Sequence, residues 1–459
     1  MTCATREPYK RTMSIDRSRS DAVVIGGSIA GLLAARVLAE AFETVTILER
    51  DVLPCGPMPR PGAPQAAHQH VLLLRGLGIL EALFPGLTAE LVERGAPRVD
   101  MARDVAWLTP AGWGCRFPSG LEMLTCSRDL LEWTLRQRLR RIPGIHVNAS
   151  SEACGLMHER GAVKGVRVRT RGLASAAHEC SADLVVDASG RHSKLPDWLT
   201  AIGYRRPEEL VVNGYLGYAS RVYRLPASAG LEWRGAYVQP APPLDRRGGV
   251  LFPLEDDRWL LTLAGIGADY PPIDEAGFVA FAQSLRSSIL VDAIRDAEPL
   301  TPIAGFRATE NRWLRYEALR DWPDGLIVLG DAVCAFNPVY AQGMTTAALA
   351  AEALHAAVSR QRRNSGALVT AGLARSFQRR LARINAAPWR LATSEDLRLP
   401  QATGGQATIG VRLLHAYFDR IVHLTTTRPD IRLSFLRVMH MLDSPSALFS
   451  PRVMLAVFT

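Results

Sequence analysis
Glu49 and Asp331 each close an apolar stretch beside a glycine turn, where a carboxylate can accept hydrogen bonds from the hydroxyls of a bound ligand. Around Glu49 the pattern is that of a dinucleotide site. Residues 21–40, DAVVIGGSIAGLLAARVLAE, read as a buried strand, a turn free of bulky side chains and an apolar-periodic helix. Gly26 takes the tight turn and Gly31 lets the helix pack on its strand. The helix N-terminus is left free to bind a pyrophosphate through backbone N–H groups and the positive end of its dipole. Ser28 stands where such a fingerprint usually has its middle glycine. Glu49 ends the next apolar strand, about 20 residues further on, where a carboxylate accepts both hydroxyls of an adenosine ribose. Hydrogen bonds to a charged group contribute roughly 1.5–3 kcal/mol each.

Around Asp331 a second strand–turn–helix unit, residues 325–354, implies a longer ligand. A nicotinamide cofactor needs one such unit and gains nothing from another near the chain's end. A flavin does gain, because its ribityl chain and ring extend beyond the pyrophosphate. Asp331 can accept from ribityl hydroxyls. The helix opening at Gln342-Gly343-Met344 aims its N-terminus at the ring's N1–C2=O edge, which becomes negative on reduction. On these two motifs the chain resembles the p-hydroxybenzoate hydroxylase-like FAD monooxygenases, whose second motif has the pattern GDAxxxxxPxxxxGxN. Gly330, Asp331, Ala332, Pro338 and Gly343 match it, with Thr345 where Asn is common.

The chain of 459 residues, 48% hydrophobic, can bury a large core and divide into two or three domains. Its seven cysteines are odd in number, scattered and without a C-x-x-C pair, which fits free thiols in a reducing cytoplasm. The N-terminus lacks the apolar core of a secretory signal. Residues 1–20 read as a disordered tail, with Met13 as an alternative start. The longest uncharged run, Ala332 to Ala351, contains Asn337, Pro338, Tyr340 and Gln342 and is no membrane span. The net charge of +9 is carried by arginine, since the lysines are only Lys10, Lys164 and Lys194. The Arg-rich faces at 136–141 and 360–363 read as solvated surface. No interleaved aromatics favour nucleic acid, although an acidic carrier protein is an alternative partner.

The fold class expected is α/β with α+β parts. A Rossmann-like FAD-binding domain spans 21–204, with a substrate-side hairpin near 105–118, and resumes at 306–375. Alternating stretches between 205 and 305 signal an antiparallel sheet, and insertion of such a sheet is the usual architecture of the resembled family. Ser127 caps a helix with Leu130, Leu131, Leu135 and Leu139 on its apolar side. Residues 376–459 read as helical, with WRLATSEDLRLP (389–400) as a marked break.

Five stretches look like the bacterial epoxidases that oxidise polyenes in polyether biosynthesis: GAPQAAHQHVLL (62–73), CSRDLLEWTLR (126–136), DLVVDASGRHS (183–193), GLIVLGDAVCAFNPVY (325–340) and 389–400. The resemblance gives Arg128 the phosphate–ribose region of FAD and Arg60 a second pyrophosphate contact. The full cofactor set is then Gly26, Ser28, Gly31, Glu49, Arg50, Arg60, Arg128, Asp331, Gly343 and Met344. His68 and His70 fall where flavin and substrate should meet, and His70 is the candidate catalytic base, against a reading of simple loop hydrogen bonding. Ser189-Gly190 stands where the family has Asp-Gly for contact with FAD and NADPH. Direct reduction by NAD(P)H and reduction through a separate flavin reductase therefore both remain open.

Such an enzyme transfers one oxygen from a flavin C4a-hydroperoxide and needs no metal. The protein excludes water and places an electron-rich double bond nearby. An alkene needs no activating base, whereas a phenol gains from one. Tyr215, Tyr218, Tyr237, Phe252, Phe336, Pro338 and Tyr340 form an apolar, aromatic pocket set suited to a lipophilic substrate, free or carrier-bound. Epoxidation of a polyketide or terpenoid alkene, in secondary metabolism, is the expected reaction, with hydroxylation of a phenol or indole as the alternative. A flavin halogenase would need a lysine after the first unit, yet none lies between residues 11 and 163. An isoprenoid reductase would need an aromatic-rich strand that 249–259 lacks. A non-catalytic flavoprotein is disfavoured by two intact FAD motifs beside a large apolar sheet.

Overall fold
The computed structural model describes residues 20–172, 176–226, 230–242, 244–365 and 371–459, with side chains 362–365 excluded. The expected tail, apart from Ser20, and the side chains of Arg362 and Arg363 lie outside the described residues.

In chain order the elements that build the site are β1 (Asp21–Ile25), α1 (Ile29–Leu38), β2 (Thr44–Leu48), β3 (Val105–Thr109), α2 (Arg128–Leu139), β4 (Ile145–Asn148), β5 (Leu184–Asp187) and β6 (Gly217–Arg224). They continue with β7 (Gly235–Val238), β8 (Arg247–Pro253), β9 (Arg258–Gly265), β10 (Leu326–Val328), α3 (Gly343–Ser365), α4 (Leu373–Asp396), α5 (Ile409–Leu424), α6 (Pro429–Met439) and α7 (Pro451–Phe458).

Strands β1, β5 and β10 are apolar along nearly their whole length, as strands covered on both faces must be. They form a parallel sheet in the order β10–β5–β1–β2–β4, a Rossmann-like core. Helices α1 and α3 pack together over this sheet, and Leu32, Leu33, Ala350 and Leu354 are fully buried between them and their neighbours. The fold class is mixed α/β, with a second large sheet.

That second sheet runs β6–β9–β8–β7–β3. Its pairings are antiparallel except for the last, where Gly235–Val238 lies parallel to Val105–Leu108. The hairpin strand thus joins the inserted sheet, which is mixed rather than antiparallel throughout. Phe278, Phe281 and Leu290, from two short helices, close one face of it. Glu209–Val212 departs from the expectation: it pairs with Asn311–Leu314 in a separate small sheet.

The expected break at Trp389 is absent, because α4 continues through Pro388 to Asp396. Proline inside a helix removes one backbone bond. Here tertiary packing outweighs that cost: the Trp389 ring lies edge-on to Trp313 with centroids 5.4 Å apart, and Ala392 is fully buried. Among the described residues, no helix is long and apolar enough to cross a membrane.

Candidate active site
The first glycine turn admits nothing larger than hydrogen at two points. Gly26 adopts φ +102°, and a Cβ there would stand 2.5 Å from the Ala188 carbonyl oxygen. A Cβ on Gly31 would stand 1.9 Å from the Gly26 oxygen. Ser28, at the N-cap of α1, donates its hydroxyl to Glu132 at 2.6 Å and accepts from Arg128 at 2.9 Å. The departure from glycine at this position is therefore a hub in a buried charge network. Arg60 donates to Glu132 at 2.9 Å and to Asp51 at 2.8 Å, with Glu49 at 3.4 Å. Glu49 accepts from the backbone N–H groups of Gly27 and Asp51. Burial opposes the charge on Arg60, but Glu132 and Glu49 outweigh it and raise the pKa. Burial likewise pushes Glu132 up, and Arg128 and Arg60 outweigh it, leaving the carboxyl below its usual range.

Glu132 was not picked out from the sequence, and Arg136 was placed on a solvated face although it is 2% exposed. The signal was present. Arg128, Glu132 and Arg136 recur at intervals of four, so they share one face of α2. The Arg128 assignment should have carried the others inward with it.

A cavity of about 1180 Å³ joins the two glycine motifs. Gly26, Ser28, Glu49, Arg50, Arg60, Arg128, Asp331, Gly343 and Met344 all line it; Gly31 lies behind, against the turn. Asp331 opens onto the cavity and has no hydrogen-bond partner among the described residues; burial raises its pKa, opposed by Arg191 and Arg128. A Cβ on Gly343 would meet only Asp331, at 3.9 Å, so the first turn of α3 faces open space. Arg128 retains a buried Nε without a partner. An unpaired carboxylate, an open helix N-terminus and a guanidinium along one cavity match the hydroxyls and phosphates of a flavin dinucleotide.

Tyr218, Tyr237, Phe252, Phe336, Pro338 and Tyr340 line the same cavity. Tyr215 does not. It sits at φ +51°, with its hydroxyl near Thr403, in the irregular segment before β6. His68 packs against Tyr218 and Phe306, and its Nδ1 shares a hydrogen bond of 2.7 Å with Ser220, which is bonded in turn to Thr262. Burial lowers the His68 pKa to about 4. His70 donates from Nδ1 to the His68 carbonyl, and burial followed by Arg128 lowers its pKa to about 3. A ring that holds protons so weakly is poorly matched to deprotonating a phenol. The lowered pKa argues against the base role expected of His70. The C-terminal helices also wall the cavity, through Leu391, Phe418, Val422, Phe435, Val438 and Met439.

Residues 19–371 match the FAD binding domain family. Over 441 residues the chain is 34% identical to Protein Rv3254 of Mycobacterium tuberculosis, covering 94% of this chain and 92% of that protein. It is 27% identical to 6-methylpretetramide 4-monooxygenase of Streptomyces rimosus, over 74% of this chain and 75% of that one. Its fold is similar to that of PqsL, a probable FAD-dependent monooxygenase from Pseudomonas aeruginosa. The TM-score is 0.62 at 15% identity, over 87% of this chain and 99% of that chain. With both FAD motifs on one cavity, the chain belongs to the FAD binding domain family and is a FAD-dependent monooxygenase.

Proposed function
We propose that the protein transfers one oxygen atom to a carbon–carbon double bond of a lipophilic substrate, giving an epoxide in a polyketide or terpenoid. The observation that carries this reading is the substrate side of the cavity. Tyr218, Tyr237, Phe252, Phe306 and Phe336 supply its walls, and burial makes His68 and His70 weakly basic. An alkene is electron-rich without deprotonation, so such a site lacks nothing that the reaction requires. The resemblance of five stretches to polyene epoxidases supports the same conclusion.

In this reading Ser28, Arg60, Arg128 and the turn at Gly26 hold the pyrophosphate, Glu49 and Arg50 the adenosine end, and Asp331 the ribityl chain. The N-terminus of α3 at Gly343 and Met344 faces the ring. Bound FAD, reduced by NAD(P)H directly or through a reductase, supplies the activation of oxygen. The protein excludes water and orients the double bond, and neutral His68 offers a fixed hydrogen bond on the substrate side.

Hydroxylation of a phenol or indole is a second reading, favoured by the hydrogen-bonded pair Tyr340 and Asp396 on the cavity wall. Both products gain one oxygen, so mass does not separate them. Acid treatment in labelled water opens an epoxide to a diol carrying the label. A product that resists acid and shows a new phenolic absorbance overturns the epoxidase reading.

A further inference from the structure
Asp396 ends α4, beyond residue 371 where the match to the family stops. Its side chain reaches back to the loop that precedes α3. Asn311 Nδ2 donates to Asp396 Oδ2 at 2.6 Å, Asn337 Nδ2 to Oδ1 and Oδ2 at 3.0 and 3.2 Å, and Tyr340 Oη to Oδ1 at 2.9 Å. The Asn337 N–H donates to Asn311 Oδ1 at 2.8 Å, and Asn337 Oδ1 accepts from the Val339 N–H. Asp396 is 5% exposed, and all its hydrogen-bond donors are neutral. The nearby cation, Arg398, is ion-paired with Glu395 and Asp419. The loop then passes through Ala341, at φ +53°, directly into Gly343.

We propose that Asp396 is a positioning residue for the flavin: by accepting from Asn311, Asn337 and Tyr340 together, its carboxylate fixes where the loop delivers the N-terminus of α3. The inference rests on the reading of that helix end as facing the flavin. A carboxylate accepts every one of these bonds and strengthens each by its charge. A carboxylic acid or an amide must turn the Tyr340 bond round, donating to its hydroxyl, and holds Asn311 and Asn337 through one neutral oxygen.

Burial raises the Asp396 pKa to about 6, against the lowering effect of Asn337, Tyr340 and Asn311. The anchoring form therefore predominates above about pH 6 and is lost below it. The other titratable or charged groups around the cluster are Glu395 and Arg398 on α4, Tyr340 on the loop, Tyr218 and Tyr237 on the inserted sheet, and His415 and Asp419 on α5. Burial raises the three tyrosines further above their ordinary range, so they stay neutral throughout.

The test is titration of apoprotein with FAD, followed by flavin fluorescence, from about pH 5 to pH 8. Wild type is expected to bind FAD about tenfold more tightly at the upper end, one charge-assisted hydrogen bond's worth. Asp396→Asn is expected to bind about tenfold more weakly than wild type above pH 7, with a flat profile. Tyr340→Phe keeps the step near pH 6 and loses only a few-fold in affinity. Wild-type affinity in Asp396→Asn, or a shared pH profile, overturns the proposal, even if that variant melts earlier. If Asp396→Asn does not fold, a flat wild-type profile or a Tyr340→Phe variant that lacks the step does so. Absence of FAD binding in wild type at every pH overturns the flavin reading itself, a distinct outcome.

Discussion
Replacing Glu132 by Gln keeps the shape of the buried network and removes its central charge. Glu132 lies 2.9 Å from Arg60, 3.6 Å from Arg128 and 3.9 Å from Arg136. Arg60 would keep Asp51 and Glu49, whereas among the described residues Arg128 and Arg136 have no ion pair except with Glu132. Breaking a buried pair on one side costs about 3–5 kcal/mol. Unfolding entropy near 2.1 cal/mol/K per residue gives a chain of this length about 1 kcal/mol per degree, so the apoprotein should melt about 3–5 °C lower. FAD should restore part of this, because its pyrophosphate offers Arg128 a new anion. The thermal shift on FAD addition is therefore expected to be larger in the variant than in wild type. The folded pKa of Glu132 lies below its usual value, so its contribution is complete above the unfolded pKa and lost as pH falls through the folded one. The gap between the two proteins should close in acid. Differential scanning of apo and FAD-saturated forms checks all three points. An apoprotein that loses less than about 1 °C, or an FAD shift no larger than in wild type, refutes the network account.

Glu49→Ala should weaken FAD by roughly 1.5–3 kcal/mol and also leave the Gly27 and Asp51 N–H groups unpaired; unchanged affinity in a fluorescence titration would sink the ribose assignment. Asp331→Ala should lose more activity than its FAD binding explains, and equal turnover of FAD-saturated variant and wild type would show that its carboxylate does not place the ring. Ser220→Ala frees His68 Nδ1 and should lower kcat about fivefold, the value of one neutral hydrogen bond, while leaving FAD affinity intact. A fall in FAD affinity instead would move His68 to the cofactor side.

The glycine turns and Glu49 were legible because their signal is local: a strand end, a steric limit and a helix start are all written within a few residues. The cavity-lining tyrosines were legible in type but not in place. Tyr215 and Tyr218 stand in one alternating stretch, yet the chain turns between them, and only pairing with β9 shows which belongs to the sheet. The parallel pairing of β3 with β7 joins positions too far apart for any periodicity to reveal. Pro388 invited a helix end that the Trp389–Trp313 contact overrides. Asp396 lies within residues 389–400, but nothing local to it announces Asn311, Asn337 and Tyr340.

The cavity is lined by parts of the chain far apart in sequence. Both glycine motifs line it, and so do Phe418, Val422, Phe435 and Met439 from the C-terminal helices. Exchanging Phe418, Val422, Phe435 or Met439 reshapes its wall without altering either glycine motif or the charges behind Ser28. Substitution at these four positions would thus change the shape of the cavity while leaving the glycine turns and the Asp396 anchor as they are.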